Sequence, residues 1–580
     1  MDNKEIQEAL EEIAMLLELK GENPFKVRAH QNAAQALETG GKSVTELIET
    51  GTLRQIKGIG EGIAKKIEEM AATGRSTLLD KLRAEFPDTI FELFRIPGLG
   101  PRKIKALHDK LGISSLGELE YACRENRLVE LPGFGEVTQE KVLQGIDFVR
   151  RQAGRHLQHR ALMAAEELLA FLQGHKAIQQ ASIAGSLRRR METVKDVDLV
   201  AACPPDARQQ VAKEFCSLSM VAETIGCGET KASVRLLSGL AADLRLVAAV
   251  EYPFALMHLT GSKEHNIAMR QRAIQRGLKL NEYGLFKGDS LIPATDETEI
   301  YDHLGLPFIA PELREDRGEI AAAETGALPD LIKHDDIHGI LHVHSTYSDG
   351  ANSIRELAEW CRENGLSYLG VCDHSASAAY AGGLRPEDIK RQHEEIDRLN
   401  EEFHDFTIFK GIESDITTDG NLDYPEKILE KFDFIIASIH SRLTMSEVEA
   451  TRRIIQAIEN PYTTILGHPT GRLLTAREGY PLDINAVLNA AAEAGTVIEL
   501  NASPHRLDID WRHLQAAGDR GIKIAVNPDA HSLAGMADMQ YGIGIARKGW
   551  LRSGDVINTL PTAAFADFLS RRKSGRRGLR

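Results

Sequence analysis

The hydrophobic and polar positions divide the chain into stretches of different period. Residues 1–80 alternate helical segments with short polar turns, beginning with the acidic, amphipathic MDNKEIQEALEEIAMLLELK, and residues 81–150 continue the pattern. From about 178 to 300, β-rich runs such as ASIAGS, VDLVAAC and ADLRLVAAV alternate with helices. Residues 310–337 lack apolar periodicity and read as a linker. Beyond them come GILHV, SYLGV, FTIFKGI, DFIIASI, TTILGH, TVIEL and KIAV, set between amphipathic helices. Seven strands, each followed by a loop or helix, predict a (β/α) barrel.

A chain of 580 residues is too long for one core, and its 42% hydrophobic and 27% charged content is ordinary for a globular protein. Without a run of ~18 apolar residues a membrane span is not expected. The N-terminus lacks the basic and apolar regions of a signal peptide, so a cytoplasmic protein is expected. The six cysteines form no CxxC pair and read as reduced thiols. A net charge of -15 argues against a nucleic-acid binder, yet residues 1–160 are nearly neutral, with 24 Lys and Arg against 25 Asp and Glu. Metal-binding carboxylates also add formal negative charge that cations cancel. Any case for DNA therefore rests on local motifs.

One pattern occurs three times near the N-terminus: Ile56-Lys57-Gly58-Ile59-Gly60, Ile96-Pro97-Gly98-Leu99-Gly100 and Leu131-Pro132-Gly133-Phe134-Gly135, each followed by a helical stretch. The glycines permit a tight turn that exposes backbone N–H groups at a helix N-terminus, which grips a phosphate without reading a base. Lys57, Lys65, Lys66, Arg102 and Lys103 add positive charge nearby. The three copies resemble the helix-hairpin-helix DNA-binding motif.

Farther on, Gly185-Ser186-Leu187-Arg188-Arg189-Arg190 precedes Asp196-Val197-Asp198. Two carboxylates one residue apart on a strand share a face and can hold a pair of Mg²⁺ ions for in-line phosphoryl transfer. Asp243, in AADLRLVAAV, is the best third carboxylate. This combination marks the nucleotidyltransferase superfamily. With Thr260-Gly261-Ser262-Lys263-Glu264-His265-Asn266, then Met269-Arg270, and the hairpins, residues 1–310 resemble the family X DNA polymerases. The resemblance implies that Ser186 and Arg189 hold the triphosphate tail. It implies that Asp196, Asp198 and Asp243 bind Mg²⁺ or Mn²⁺, that Asn266 contacts the incoming base and that Arg270 contacts the template. Lys263 could add a nucleotide contact. Lys66 matches the position of the family's lyase lysine. His258-Leu259 stands where the family often has Tyr-Phe, beside backbone that helps reject the ribose 2′-OH.

The last 240 residues carry the densest signal. His342 and His344 end one strand, and Asp349 follows; His374, Glu413, His440 and His468 each follow a strand; Asp529 and His531 follow KIAVNP. All nine lie at C-terminal strand ends, the face on which (β/α) barrels build active sites. Over residues 338–570 the set resembles the PHP (polymerase and histidinol phosphatase) phosphoesterases. The resemblance implies three metals: the first on His342, His344, Glu413 and Asp529, the second on Asp349, His374 and His531, and the third on Glu413, His440 and His468. Such ligands suit Mn²⁺ or Zn²⁺. Asp373 is expected to orient an imidazole.

The whole resembles bacterial family X polymerases with a C-terminal PHP domain. The implied fold class is all-α helix-hairpin-helix domains, an α+β palm and thumb, and a distorted (β/α)7 barrel. The expected domains are an 8-kDa-like helical domain at 1–80, fingers at 81–150, the palm at 151–250, the thumb at 251–310, a linker at 311–337 and the PHP domain at 338–570. The implied function is gap filling in base excision repair on gapped or primer-template DNA with dNTPs, plus 3′→5′ exonuclease and 3′-end or abasic-site processing by a monomer. The alternatives are a DNA-binding phosphoesterase with an inactive polymerase half, a non-enzymatic scaffold and a non-templated nucleotidyltransferase. The last would not be expected to carry three DNA-binding hairpins.

Overall fold

A computed structural model of the chain describes all residues except 2, 40–42, 88, 125–127, 129–130, 132, 444 and 579–580. Two compact units emerge, one made of Met1–Ala153 with the short segments Asp349–Asn352 and Ala476–Glu478, and a second made of Gly154–Ser348, Ser353–Thr475 and Gly479–Arg580. Among the described residues of Met1–Ala153 the regular elements are helices. Its longest helices, Asn3–Lys20, Pro24–Thr39, Glu61–Thr73, Pro101–Leu111 and Glu136–Gln152, surround a core that includes Leu10, Ile13, Ile63, Ile67, Ile104 and Ile146.

The second unit opens with a five-stranded sheet. In spatial order its strands are Gln180–Ile183, Asp196–Ala202, Ala241–Val247, Lys231–Leu236 and Val221–Cys227. Only the central pair, Asp196–Ala202 beside Ala241–Val247, is parallel. Strand alternation divides the residues of Asp196–Ala202 between two cores. Val197, Leu199 and Ala201 pack with Leu168 and Phe215 of the helices Gln158–Gly174 and Pro205–Cys216. Val200 and Ala202, on the face that also bears Asp196 and Asp198, pack with Tyr252 and Leu256.

Next come the helices Tyr252–Thr260 and Lys263–Gln275, a three-stranded antiparallel sheet over 279–292 and the helix Glu297–His303. The stretch expected as a linker carries the helix Glu319–Glu324, and its Leu313, Ala323 and Leu331 join the core of Phe254, Met269 and Tyr301. Arg314 is fully buried, bonded to Glu297 at 2.6 Å, and Glu319 lies 2.7 Å from His265. This segment is anchored by ionic partners from elsewhere in the chain, which leave no apolar period to read.

Apart from a short antiparallel pair, His156–Leu157 with Thr193–Val194, the remaining strands among the described residues are parallel and fall into two sheets. One holds Gly339–Val343, Tyr368–Val371 and Thr407–Lys410; the other holds Glu413–Asp415, Ile436–Ser438, Ile465–Leu466, Val497–Asn501 and Ile524–Asn527. Thr407–Lys410 and Glu413–Asp415 form one run interrupted at 411–412, and single bridges His374–Glu413 and Val343–Ala530 link the two sheets. Helices cover one strand face, while Leu341, Phe434, Ile436 and Val497 form a second core with Phe565 and Leu569 of the C-terminal helix Thr562–Gly578.

Candidate active sites

The three glycine hairpins share one local geometry. A backbone bond closes each turn: Ile59 N to Ile56 O, Leu99 N to Ile96 O and Phe134 N to Leu131 O, at 3.0–3.1 Å. The first glycine has positive φ every time, 103° at Gly58, 78° at Gly98 and 87° at Gly133, a backbone that side chains disfavour. Gly60, Gly100 and Gly135 immediately precede the helices Glu61–Thr73, Pro101–Leu111 and Glu136–Gln152. All six glycines are exposed, and the buried residues Ile59, Leu99 and Phe134 anchor the loops. Pro132 lies outside the described residues.

Beside the first hairpin, a cleft of about 570 Å³ is lined by Lys20, Lys26, His30, Lys66 and Lys81 among others. Lys66 Nζ lies 2.9 Å from Nε2 of His30, whose Nδ1 donates to Lys26 O at 2.8 Å. That tautomer leaves a lone pair on Nε2 to accept from Lys66. Burial, with Lys26 nearby, holds the Lys66 amine below the usual lysine range.

In the five-stranded sheet, Asp198 pairs in register with Asp243 on the adjoining parallel strand, and Asp196 precedes Asp198 on the same face. Burial first, then repulsion from Asp196 and Asp243, lifts the Asp198 carboxyl to about 6. Asp243 Oδ2 is held by Lys231 Nζ at 2.8 Å. Gly185 has a φ of 62° and begins the short turn of Ser186 above Asp198. Three neighbouring carboxylates, the central one holding its proton more tightly than usual, fit a divalent cation.

The surrounding side chains are already bonded. Arg189 donates through Nε to Glu315 at 2.9 Å and through Nη1 to Thr260 O. Arg188 makes a two-pronged pair with Glu297. Asn266 Nδ2 donates to His258 O at 2.7 Å, so the carbonyl at the substituted position is engaged, and Arg270 Nε donates to Asn266 O at 3.2 Å. Ser186 is half-buried, and Lys263 and Arg270 are exposed.

The phosphoesterase residues converge far more tightly. Ligand atoms of His344, Asp349, His374 and His531 lie within 4.8 Å of one another, as do those of His342, His344 and Asp529, and those of His374, Glu413 and His440. Among the described residues the aspartate triad forms no set so close. Glu413 is the hub. Its Oε1 lies 3.0 Å from His468 Nε2 and 3.2 Å from both His342 Nε2 and His440 Nε2, and its Oε2 lies 2.9 Å from His374 Nδ1. Yet Glu413 Oε2 and His342 Nε2 are buried and make no hydrogen bond of good geometry among the described residues. Lone pairs crowded in this way need a cation between them, so this donor set fits metal ions. Grouping by distance places His344 and His374 in two sets each, whereas the family resemblance implied one metal for each imidazole. His342, His468 and Asp529 have φ of 57°, 24° and 53°. A strained backbone at three residues of the cluster is characteristic of a site fixed by its surroundings.

Burial, then His531 and His374, depresses His344 to about 3, which keeps it neutral. Burial also opposes charge on His440, but Glu413 and Asp415 outweigh it and lift that imidazole to about 9.

Three residues that contact the cluster escaped the sequence reading. Glu499 is fully buried; its Oε1 accepts from His342 Nδ1 at 2.6 Å and from Asn527 at 2.8 Å, and its Oε2 accepts from His468 N at 2.7 Å. Asp415 accepts from His440 Nδ1. Arg506 Nε lies 3.6 Å from Asp529 Oδ2, and its Nη1 is buried without a hydrogen-bond partner among the described residues. Asp415 ends its strand, the signal that found the nine candidate ligands, whereas Glu499 sits in the middle of Val497–Asn501. Asp373, expected to orient an imidazole, instead accepts from Ser345, Ser348 and Gln392. It ties down the loop after His344.

Helical hairpins, a nucleotidyltransferase sheet with three carboxylates and an imidazole-carboxylate cluster at parallel strand ends define a nucleic-acid nucleotidyltransferase joined to a metal-dependent phosphoesterase. Comparison with known proteins agrees. Residues 255–315 match the DNA polymerase beta thumb family, 1–76 a helix-hairpin-helix domain, 90–147 a SAM-like helix-hairpin-helix tandem and 341–503 the PHP domain. A Bacillus subtilis (strain 168) protein described as DNA polymerase/3'-5' exonuclease PolX is 40% identical over 575 residues, 98% of this chain and 100% of its own. A probable phosphatase of Thermoanaerobacter sp. (strain X514) is 32% identical over 38% of this chain and 89% of its own. A solved Leishmania infantum polymerase beta, a ternary P/T complex, has 26% identity over 39% of this chain and 98% of its own, with a TM-score of 0.26. The chain belongs to the family X DNA polymerases that carry a C-terminal PHP domain.

Proposed function

We propose that the protein is a DNA-directed DNA polymerase that fills short gaps during base excision repair and, at its PHP site, removes nucleotides 3′→5′ and processes 3′ ends and abasic sites. The observation that carries the reading is the coexistence of two acidic centres: the Asp196, Asp198 and Asp243 triad, and the cluster around Glu413. Mg²⁺ or Mn²⁺ suits the triad, and up to three Mn²⁺ or Zn²⁺ ions suit the cluster. Bound there, divalent ions neutralise phosphate charge and activate the attacking oxygen.

The protein's own groups do the rest. The hairpin amides grip backbone phosphates of gapped or primer-template DNA, independent of sequence. Ser186 and Arg189 orient the dNTP triphosphate, with Lys263 at the mouth; Asn266 lies against the incoming base and Arg270 against the template strand. In the phosphoesterase half, Glu499 and Asp415 fix the tautomers of His342 and His440, directing Nε2 of each ring toward Glu413. Arg506 is placed to hold a phosphate oxygen.

Lys66 is proposed as a lyase nucleophile toward abasic sugar, since its amine sits depressed beside His30. The domain limits 1–80, 81–150, 151–250, 251–310 and 338–570, a closed seven-stranded barrel, a monomer and a cytoplasmic location complete the reading. No helix among the described residues is long and apolar enough to cross a membrane.

The test is a gapped, 5′-labelled duplex incubated with Mn²⁺, with and without dNTPs. Asp198→Ala should abolish extension and spare shortening, and His344→Ala should do the reverse. Shortening that survives His344→Ala but not Asp198→Ala would place hydrolysis in the polymerase half.

A further inference from the structure

The nucleotide-binding turn does not hold its arginine alone. Glu315 Oε1 accepts from Arg189 Nε at 2.9 Å and also from Lys548 Nζ. Lys548 is the last residue of the helix Met539–Lys548, more than 200 residues away in the phosphoesterase half, and it is fully buried. Its Nζ also donates to Arg189 O at 2.9 Å, approaches Glu312 O at 3.5 Å and sits 4.4 Å from the centre of the Trp511 ring. Burial pulls the Lys548 amine down and Glu315 pushes it back up. Three oxygen acceptors and a ring face are the surroundings of an ammonium, because a neutral amine has only two hydrogens to give.

The charges of this trio do not cancel. Arg189 and Lys548 carry two positive charges against one carboxylate, so the group keeps one net positive charge. Without Lys548, Glu315 would neutralise Arg189 completely and draw its guanidinium inward. With Lys548 sharing the carboxylate, Arg189 stays aimed and remains attractive to a polyanion. Further charges lie nearby: Glu312 pairs with Arg547 at 2.7 Å, Glu192 lies 3.6 Å from both Arg472 and Arg512, Arg512 also acts on Glu315, and Arg189 acts on Asp198.

We infer that Lys548 is a positioning residue for the polymerase reaction: through Glu315 it sets the orientation and the available charge of Arg189, so nucleotide affinity depends on a side chain of the phosphoesterase half. The inference rests on the reading that Arg189 holds the triphosphate.

Full-length protein and a one-nucleotide-gapped duplex test it, by steady-state insertion with KM for dNTP and kcat measured separately. Lys548→Met should raise KM about tenfold, the size expected when a charge-assisted contact is lost, with kcat within about twofold and PHP hydrolysis unchanged. Lys548→Arg should stay near wild type. Adding Glu315→Gln to Lys548→Met restores the net positive charge and should return KM most of the way. Glu315→Gln alone, which leaves both cations, should lower KM, and this variant serves if Lys548→Met does not fold. Arg189→Ala separates the layers. If it leaves KM unchanged, the triphosphate reading fails; if it raises KM while Lys548→Met does not, only the present inference fails. Joint loss of both activities in Lys548→Met without recovery in the double variant, or an unchanged or raised KM in Glu315→Gln, would reduce the trio to a structural tie and overturn it.

Discussion

Gly185 stands so close to Asp198 that a Cβ built on it falls 2.0 Å from Asp198 Oδ2, in a backbone with a φ of 62°. Both facts require glycine. The turn that presents Ser186 and Arg189 packs directly over the central carboxylate, so the residues proposed for nucleotide and for metal share one contact. Gly185→Ala should displace Asp198 and reduce primer extension by orders of magnitude. PHP-dependent shortening of the same duplex should be unaffected. Extension within about twofold of wild type would show that the close approach has no catalytic consequence.

The raised Asp198 carboxyl makes polymerase metal use depend on pH. Its pKa of about 6 exceeds the ordinary 3.8, so the native state binds that proton more tightly than the unfolded chain does. Metal-free protein therefore loses stability as pH rises from about 4 through 6, and the loss is complete above that. A cation relieves the repulsion but must displace the proton at lower pH. The Mg²⁺ concentration for half-maximal extension should be flat above about pH 7 and rise about tenfold per unit below about 6. His344→Ala protein removes interference from shortening. A flat requirement down to pH 5 would mean that another group governs the site.

These two centres were legible for different reasons. The nine phosphoesterase ligands stood out because each follows an apolar strand, and strand ends sharing one face need no knowledge of long-range packing. Even there, His342 meets the cluster through a φ of 57° at a register shift, not through the simple alternation expected of His342-Val343-His344. Glu499 was overlooked because a lone glutamate in VIEL looks like an interrupted core strand until His342, 157 residues away, arrives on its Oε1. The anchoring of 311–337 was unreadable because Arg314 and Glu319 bury themselves on Glu297 and His265, and such polar pairs leave no period.

Glu499→Gln tests the carboxylate behind His342. The amide keeps the shape but loses the charge that fixes the Nδ1–H tautomer, so metal affinity of the cluster should fall by about 10–100-fold. Chelator titration followed by PHP hydrolysis measures this, and extra Mn²⁺ should restore the rate. Extension should not change. A loss of hydrolysis that no metal concentration rescues would assign Glu499 a direct part in the chemistry.

Gly98→Val and Gly133→Val act on the hairpins by backbone strain alone, since open space surrounds the Cβ position at both glycines. Forcing a β-branched residue to a φ near 80° costs about 1–2 kcal/mol. Binding of gapped duplex should weaken equally for every sequence, with a shallower dependence on salt as phosphate contacts are lost. Weakening confined to particular base sequences would contradict a backbone grip.

Lys66 and His30 make the abasic-sugar chemistry testable apart from both metal centres. A Schiff base forms when a neutral amine attacks the C1′ aldehyde and water leaves, so the amine must first shed a proton. Burial already lowers the affinity of Lys66 for that proton, and His30 Nε2, 2.9 Å away, is placed to take it. Borohydride should therefore trap a covalent protein–DNA adduct on a 5′-deoxyribose phosphate flap, in the presence of chelator, and at lower pH than a surface lysine allows. Lys66→Ala should abolish the adduct. His30→Gln should slow trapping at least about tenfold, as expected when a positioned base is removed, while leaving DNA binding intact. An adduct that survives Lys66→Ala would place the reactive amine elsewhere, and the cleft would then be left to phosphate binding by Lys20, Lys26 and Lys81.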